Sequence, residues 1–554
     1  MAAGARKRVV FCWGLYFFPA TAPAIVFFYT EAPFVAGSET GECQCRKKGR
    51  IVVPDAGKCL GALSARKVTM PVFSFDNSYA RLPDDLYMLQ KPLAVKAPRL
   101  ILLNRGLMAD LGLHPESLAE DEWAGIFCGN SLPEGSCPLA MAYAGHQFGH
   151  FVPQLGDGRA ILLGEVKDDK GKRWDIQLKG SGKTPFSRNG DGRAPLGAVL
   201  REYMISEALH AMGIPTTRSL AAVLTGEPVH RESVLPGAVL TRVAASHIRV
   251  GTFAGLAARD KVTALQILTD YTLERHFPHL DKQVPPHMGL LREVLKAQAR
   301  LVAAWMHVGF IHGVMNTDNC AISGETIDFG PCAFMDAYSP ARVFSSIDHH
   351  GRYAYGRQPG MAHWNLVRFA ESLLPLMNEA DIKTANAILA SFPDYFQDCW
   401  LSGMGKKLGF RTRQPEDMAL AQDLLGMMHA NSVDFTIGFR SLCDLAESPQ
   451  DSVFPGLFRD REAVQQWVQR WQHRLNREGG KERAASMRSV NPLYIPRNHR
   501  VEAALKAAEK EGDFSLFHSL LTVVSNPFEK KEGWEEYALA PAPEEVVHRT
   551  FCGT

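Results

Sequence analysis

Hydrophobic and polar positions divide the chain into a strand-patterned stretch followed by a helix-patterned one. Between Leu139 and Gly255 apolar residues come in short runs broken by Gly-Asp and Ser-Gly turns, as expected of strands in a packed sheet. Arg159–Val166 (RAILLGEV) and Arg173–Lys179 (RWDIQLK) are the clearest runs, joined by the charged turn Lys167–Lys172. A helix is expected over Leu196–Met212, where Leu200, Met204, Ala208 and Met212 recur on one face before Gly213-Ile214-Pro215. A shorter one is expected around Leu100–Leu111. Beyond Gly255 the spacing is helical, most clearly in Leu291–Val308, in Trp364–Leu374 ahead of Pro375, and past Val501–Glu511. Cys320–Asp328 (CAISGETID) interrupts it and reads as a short hairpin turning at Ser323-Gly324.

This order predicts an α+β protein with a β-rich N-lobe, a helical C-lobe and a helical C-terminal extension, in a bilobal frame with its site in the cleft. Residues 1–69 form an extension, 70–255 the β-rich lobe with its leading region, 256–450 the helical lobe, and 451–554 the extension. In the first of these, Arg6, Lys7 and Arg8 precede an apolar run from Val9 to Tyr29 that Gly14, Pro19 and Pro23 interrupt. Two readings fit: a targeting or anchoring segment, or an over-extended start, since Met70 opens what already resembles a domain edge. A cytoplasmic protein is expected, with membrane attachment only if residues 1–30 are retained.

Composition narrows the picture little. The 554 residues are 46% hydrophobic and 22% charged, with a formal net charge of +2, which argues against bulk attraction to nucleic acid or anionic membrane. Eleven cysteines show no C-x-x-C spacing, and no H-E-x-x-H pattern occurs, so a zinc site is not expected and most thiols are read as free in a reducing compartment.

Chemistry concentrates in Phe310–Pro331 (FIHGVMNTDNCAISGETIDFGP). The expected hairpin brings Asn319 and Asp328 to one end, an amide oxygen and a carboxylate able to share a hard metal ion. In protein kinases the H-R-D-L-x-x-x-N and D-F-G segments use the same residue types for Mg²⁺, and His312, Asn319 and Asp328-Phe329-Gly330 stand at that spacing. In that register the kinase base falls on Val314, which cannot accept a proton, and Asp318 is the nearest carboxylate able to act instead. Upstream, Gly156, Gly158 and Arg159 in QLGDGR offer a close backbone approach and a cation for phosphate. Lys179 closes a strand as the kinase β3 lysine does, and Glu202 on the following helix is the carboxylate to orient it. Lys183-Thr184 sits in a P-loop-like string, but Gln177 replaces the first glycine and Pro185 follows, which rules out a Walker A loop. Asp191 and Gly192 in that string, with Arg242 and Arg249, complete the candidate nucleotide contacts.

Together these segments resemble the selenoprotein O family of pseudokinase-like protein adenylyltransferases, from Met70 to near the C-terminus. The resemblance rests on AYAGHQFGHF (Ala142–Phe151), QLGDGRAILLGE (Gln154–Glu165), LKGSGKTPFSRNGDGRA (Leu178–Ala194), HGVMNTDN with IDFGP (His312–Pro331), DHHGRYAY (Asp348–Tyr355) and SVNP (Ser489–Pro492). It implies a kinase-like fold, ATP bound in reversed orientation, and transfer of AMP to Ser, Thr or Tyr hydroxyls of protein substrates with release of pyrophosphate. The base would be Asp318, the Mg²⁺ (or Mn²⁺) ligands Asn319 and Asp328, and the nucleotide contacts Gly156, Gly158, Arg159, Lys179, Asp191, Gly192, Arg242, Arg249 and Asp328, with Glu202 supporting Lys179. The protein is expected to act as a monomer without nucleic acid. Eukaryotic members often carry selenocysteine near the C-terminus, where this chain has Cys552. Some bacterial members pair a C-terminal cysteine with one after D-F-G, where this chain has Phe344, so that disulfide is not expected. Three competing functions remain: UMP transfer, a non-catalytic nucleotide-binding scaffold, and a small-molecule kinase, which Val314 disfavours.

Overall fold

Strand pairing follows the alternation along the chain in the computed structural model, which describes residues 72–281, 284–479 and 482–551. The readings of residues 1–69 and of Cys552 lie outside the described residues. An antiparallel sheet runs in the order β1 (Tyr87–Leu89), β3 (Leu139–Met141), β6 (Ala160–Lys167), β7 (Arg173–Lys179), β10 (Val234–Ala244), β9 (Arg218–His230) and β2 (Arg99–Leu103). β8 (Ala194–Pro195) adds to β10, while β4 (Gly145–Gln147) and β5 (His150–Val152) form a hairpin of their own. The long β9–β10 hairpin and the β6–β7 hairpin bring the ends of four strands together beneath the candidate residues.

One sheet face is covered by α1 (Arg105–Asp110) and α2 (Glu120–Cys128), whose Trp123 and Phe127 pack on Ile176, Leu178, Val239 and Val243. The other carries α3 (Leu196–Ala211), buried on nearly every side because it lies between the sheet and the helices Asn498–Glu511 and Ser515–Val524. Leu200, Met204 and Ala208 share this core, whereas Met212 is the half-buried residue that ends the helix and falls off the expected face. Polar ties reinforce the contact: Gly197 N–H donates to Glu509 at 2.8 Å, and Arg201 pairs with Glu502.

After the sheet come α4 (Val250–Ala257), α5 (Val262–His276), α6 (Pro286–His307) and α7 (Gln358–Leu373), followed by further helices to the C-terminal region. α6 begins before the expected Leu291, and α7 before Trp364; Pro375 lies in the short 3-10 turn after it. Two expectations fail for a common reason, that backbone groups found better partners. Leu100–Leu111 is not one helix: Arg99–Leu103 pairs with β9 as an edge strand, and the helix starts only after Asn104, whose side chain accepts from Leu107 N–H at 3.0 Å. Cys320–Asp328 turns at Ser323-Gly324 but makes no hairpin ladder. Ala321 bridges to Arg249 and Thr326 to Thr216, so the segment is threaded between two other stretches. A two-stranded pair, β11 (Phe310–Ile311) with β12 (Ala333–Phe334), closes the base of the loop that contains it. No helix among the described residues is long and apolar enough to cross a membrane.

Candidate active site

Strand alternation places the first set of side chains. In β7, Ile176 and Leu178 enter the core under α2, which turns Asp175, Gln177 and Lys179 to the opposite face. Arg242 stands directly across from Gln177 in the β10 register. Glu202 approaches from α3, Arg249 from the residue preceding α4, and Asp328 from the loop between β11 and β12.

These groups converge on Asp328. Its Oδ1 accepts from Lys179 Nζ at 2.7 Å and from Arg242 at 2.8 Å, and its Oδ2 accepts from Arg249 at 2.9 Å. Lys179 also donates to Glu202 at 2.5 Å, and Arg242 to Glu202 at 3.2 Å and to Gln177 at 2.6 Å. Three cations thus face two carboxylates in a site where the Asp328 side chain keeps only 22% of its exposure. Burial raises the Asp328 carboxyl, but Lys179, Arg242 and Arg249 outweigh it and hold the group well below the usual carboxylate range. Its backbone sits at φ +65°, a left-handed conformation that costs a non-glycine residue energy and recurs at functional positions. Glu202, which on its own reads as a solvated helix residue, is buried and paired twice.

Asp318 stands beside this group, its backbone carbonyl accepting from Arg249 at 2.8 Å. Burial pushes its carboxyl up to about 6, and its Oδ1 is buried without a hydrogen-bond partner. The β4–β5 hairpin lies against it: a Cβ on Gly145 would come within 2.6 Å of that Oδ1, and the Gln147 side chain hydrogen-bonds the carboxylate. Val314, at the position of the kinase base, is buried, and its carbonyl accepts from Asn319 Nδ2 at 3.0 Å. His312 is buried, which pushes its imidazole down from its ordinary value, and its Nε2 lies against the Ile327 carbonyl at 2.9 Å.

The glycine-rich segments behave differently from one another. A Cβ on Gly156, at φ +69°, would meet the Phe186 ring at 2.3 Å, and one on Gly158 would meet the Phe186 carbonyl at 2.9 Å. Both glycines therefore let the loop after β7 lie on the loop before β6. Gly192 packs in the same way on the Gly182–Lys183 backbone. Asp191 is not part of the Asp328 group: Arg231 holds it at 2.9 Å near the far end of the β9–β10 hairpin, with 44% of its side chain exposed. Arg159 and Lys179 line a cavity of about 240 Å³ that continues past Glu202 to Lys506 and Lys510 of the helix Asn498–Glu511. Among the described residues no group of three or more His, Cys, Asp or Glu is arranged to hold a metal ion. Asn319 and Asp328 each carry an oxygen of the hard type that suits Mg²⁺, but the hairpin expected to bring them to one end does not form, and both Asp328 oxygens are engaged by the three cations.

The model of a known family, protein adenylyltransferase SelO, matches residues 70–525. This chain belongs to the SelO family. The SelO-family chain is also 57% identical over 488 residues to the protein nucleotidyltransferase YdiU of Rhizobium johnstonii, covering 87% of this chain and 97% of that protein. It is 56% identical to the YdiU proteins of Rhizobium meliloti, over 491 residues with 88% and 100% covered, and of Rhodopseudomonas palustris, over 488 residues with 87% and 99% covered.

Several side chains of this SelO-family site escape a reading of the sequence. Asp157, between the two glycines of QLGDGR, is buried, accepts from Gln177 at 2.9 Å and lies 3.7 Å from Arg249. Tyr143 presents its ring to the Arg249 guanidinium at 4.7 Å. The alternation D-I-Q-L-K in β7 carried a signal for Gln177, since it shares the face of Lys179; Tyr143 and Gly145 lie in the string AYAGHQFGHF that carries the family resemblance, which gave neither a role.

Proposed function

We propose that this protein transfers AMP from ATP to a Ser, Thr or Tyr hydroxyl of a protein, releasing pyrophosphate. The observation that carries the reading is the pairing of three buried cations at Asp328 with an adjacent buried carboxylate, Asp318, in a frame whose kinase base position is Val314. The meeting of strands β7 and β10 with α3, the start of α4 and the Asp328 loop at one site supports a bilobal kinase-like frame. The names of the relatives support nucleotidyl transfer as the reaction class.

In this mechanism Lys179, Arg242 and Arg249 bind the phosphates of the nucleotide, Arg159 adds a cation at the cavity wall, and Glu202 keeps Lys179 in place. Asn319 and Asp328 would hold Mg²⁺ or Mn²⁺, which when bound offsets charge on the phosphate oxygens. Asp318, ionised above about pH 6, accepts the proton of the acceptor hydroxyl. The hydroxyl oxygen forms a bond to the α-phosphorus, the bond from that phosphorus to the bridging oxygen breaks, and pyrophosphate leaves. With both Asp328 oxygens already engaged, nucleotide entry requires the cations to turn from carboxylate to phosphate. A cytoplasmic, monomeric enzyme acting on proteins fits this chemistry.

Parallel labelling with α- and γ-labelled ATP tests the proposal. Label retained on protein from the α position alone is expected. Label from the γ position would overturn it in favour of a kinase, and bound nucleotide with neither label would favour a scaffold. The same assay with UTP in competition decides between AMP and UMP.

A further inference from the structure

The β4–β5 hairpin does more than cover Asp318. Its backbone is pinned to the catalytic loop, with His146 N–H donating to Thr317 Oγ1 at 2.7 Å and Phe148 N–H to Asn316 Oδ1 at 3.0 Å. Its outer part leaves His150 and Phe151 exposed, Phe151 by 41%. The His146 ring packs on Phe151 at 4.9 Å and edge-on to Trp364 of α7 at 5.4 Å.

Arg352 completes this surface. Its guanidinium stacks over Trp364 at 4.8 Å, and a Cβ on Gly149, at the hairpin turn, would lie 3.7 Å from it. Among the described residues it makes no ion pair, and its buried Nε has no hydrogen-bond partner. Its neighbour Arg368, also over Trp364 at 5.2 Å, is paired with Glu371 at 2.7 Å. The nearest other carboxylate in sequence, Asp348, is buried and accepts from the backbone of Arg352 and Tyr353. An arginine over an aromatic ring, hydrogen-bonded to Tyr353 but carrying no ion pair, suits recognition of a carboxylate by its remaining donors. Gly145, against Asp318, and Gly149, against Arg352, are the start of β4 and the hairpin turn, so one short strand of about 7 Å and a turn residue or two separate the base from the arginine.

We propose that the β4–β5 hairpin and the Trp364 face of α7 form the docking surface for the acceptor protein, and that Arg352 selects an acidic side chain within a few residues of the hydroxyl to be modified. This rests on Asp318 being the base. Phe151 and Trp364 would pack on the acceptor chain, and His146 and His150 would line its path.

Two fluorescein-labelled peptides test it, identical except that Asp and Glu flank the hydroxyl in one and Asn and Gln in the other. Binding to the full chain is read by anisotropy, and transfer by α-label. The acidic peptide is expected to bind about tenfold more tightly than the neutral one, to lose that advantage with R352Q, and to raise KM with little change in kcat. R352E is expected to prefer a lysine-flanked peptide, an inversion that a merely structural role for Arg352 would not produce. Equal binding of acidic and neutral peptides to the wild type, or an unchanged preference in R352Q and R352E, would overturn the inference. Loss of affinity for a fluorescent ATP analogue in R352Q would also overturn it, by moving Arg352 to the nucleotide. Because binding is read without turnover, peptides that bind as expected but take no label would refute the transfer reaction and leave the docking surface standing.

Discussion

Replacing Asp328 by alanine removes the one carboxylate that Lys179, Arg242 and Arg249 share, and the three cations then repel one another in a mostly buried site. Breaking a buried ion pair from one side costs about 3–5 kcal/mol. The lower end applies here, because Lys179 and Arg242 retain Glu202 and Arg249 retains the Asp318 carbonyl. At about 2.1 cal/mol/K of unfolding entropy per residue, a chain of this size loses about 1 °C of Tm per kcal/mol, so D328A should melt about 3 °C lower. The cations left behind form a stronger anion site. Inorganic pyrophosphate added without metal should therefore raise the Tm of D328A more than that of the wild type, through preferential binding to the folded state. Scanning calorimetry on both proteins, with and without pyrophosphate and chelator, provides the comparison, and α-label transfer by D328A should be lost. Equal melting temperatures together with equal pyrophosphate shifts would refute the shared-carboxylate account, and full transfer by D328A would remove Asp328 from the metal site.

Asp318→Asn should lower kcat by about 10²–10⁴ with little change in nucleotide affinity, and wild-type kcat should rise with pH through about 6, as the raised carboxyl ionises; a flat profile over that range would exclude Asp318 as base. Lys407 is buried against Phe439 at 4.1 Å and donates to Asn491 at 2.7 Å, and burial pushes its amine down to about 7 from 10.5. The unfolded chain then binds more protons than the folded one between those values, so stability should increase as pH rises from about 7 towards 10.5. Urea titrations across that range should show the increase in the wild type and its loss in K407M; the same slope in both would assign the effect elsewhere.

Much of the site was legible because its chemistry is written in short strings. His312, Asn319 and Asp328 sit within one loop, and Lys179 ends a strand whose alternation is unambiguous. Their grouping was less legible. Glu202 lies on a helix buried on nearly all sides, so no polar stripe distinguished it from a solvated residue. Asp191 reads like its neighbours in the string, and its pairing with Arg231, 40 residues away at a hairpin end, left no local mark. The hairpin at Cys320–Asp328 failed because its backbone partners, Thr216 and Arg249, are distant in sequence and invisible to a local pattern. Leu100–Leu111 failed because an apolar run beside an unpaired sheet edge gains more as a strand than as a turn of helix.

The contact between α3 and the helix Asn498–Glu511 sets the order in which the site can be assembled on the ribosome. Lys179, Glu202 and Arg242 emerge early, while Asp328 is still to be synthesised, and Glu509, which receives the N–H of Gly197 at the start of α3, comes 312 residues after that glycine. A nascent chain that has made the whole sheet therefore holds its cations without their shared carboxylate and its Glu202 helix without the cover on its outer side. Until the last helices arrive, that apolar flank of α3 is open to whatever receives unfinished chains, and nascent chains truncated before residue 498 should be captured by chaperones that complete chains escape.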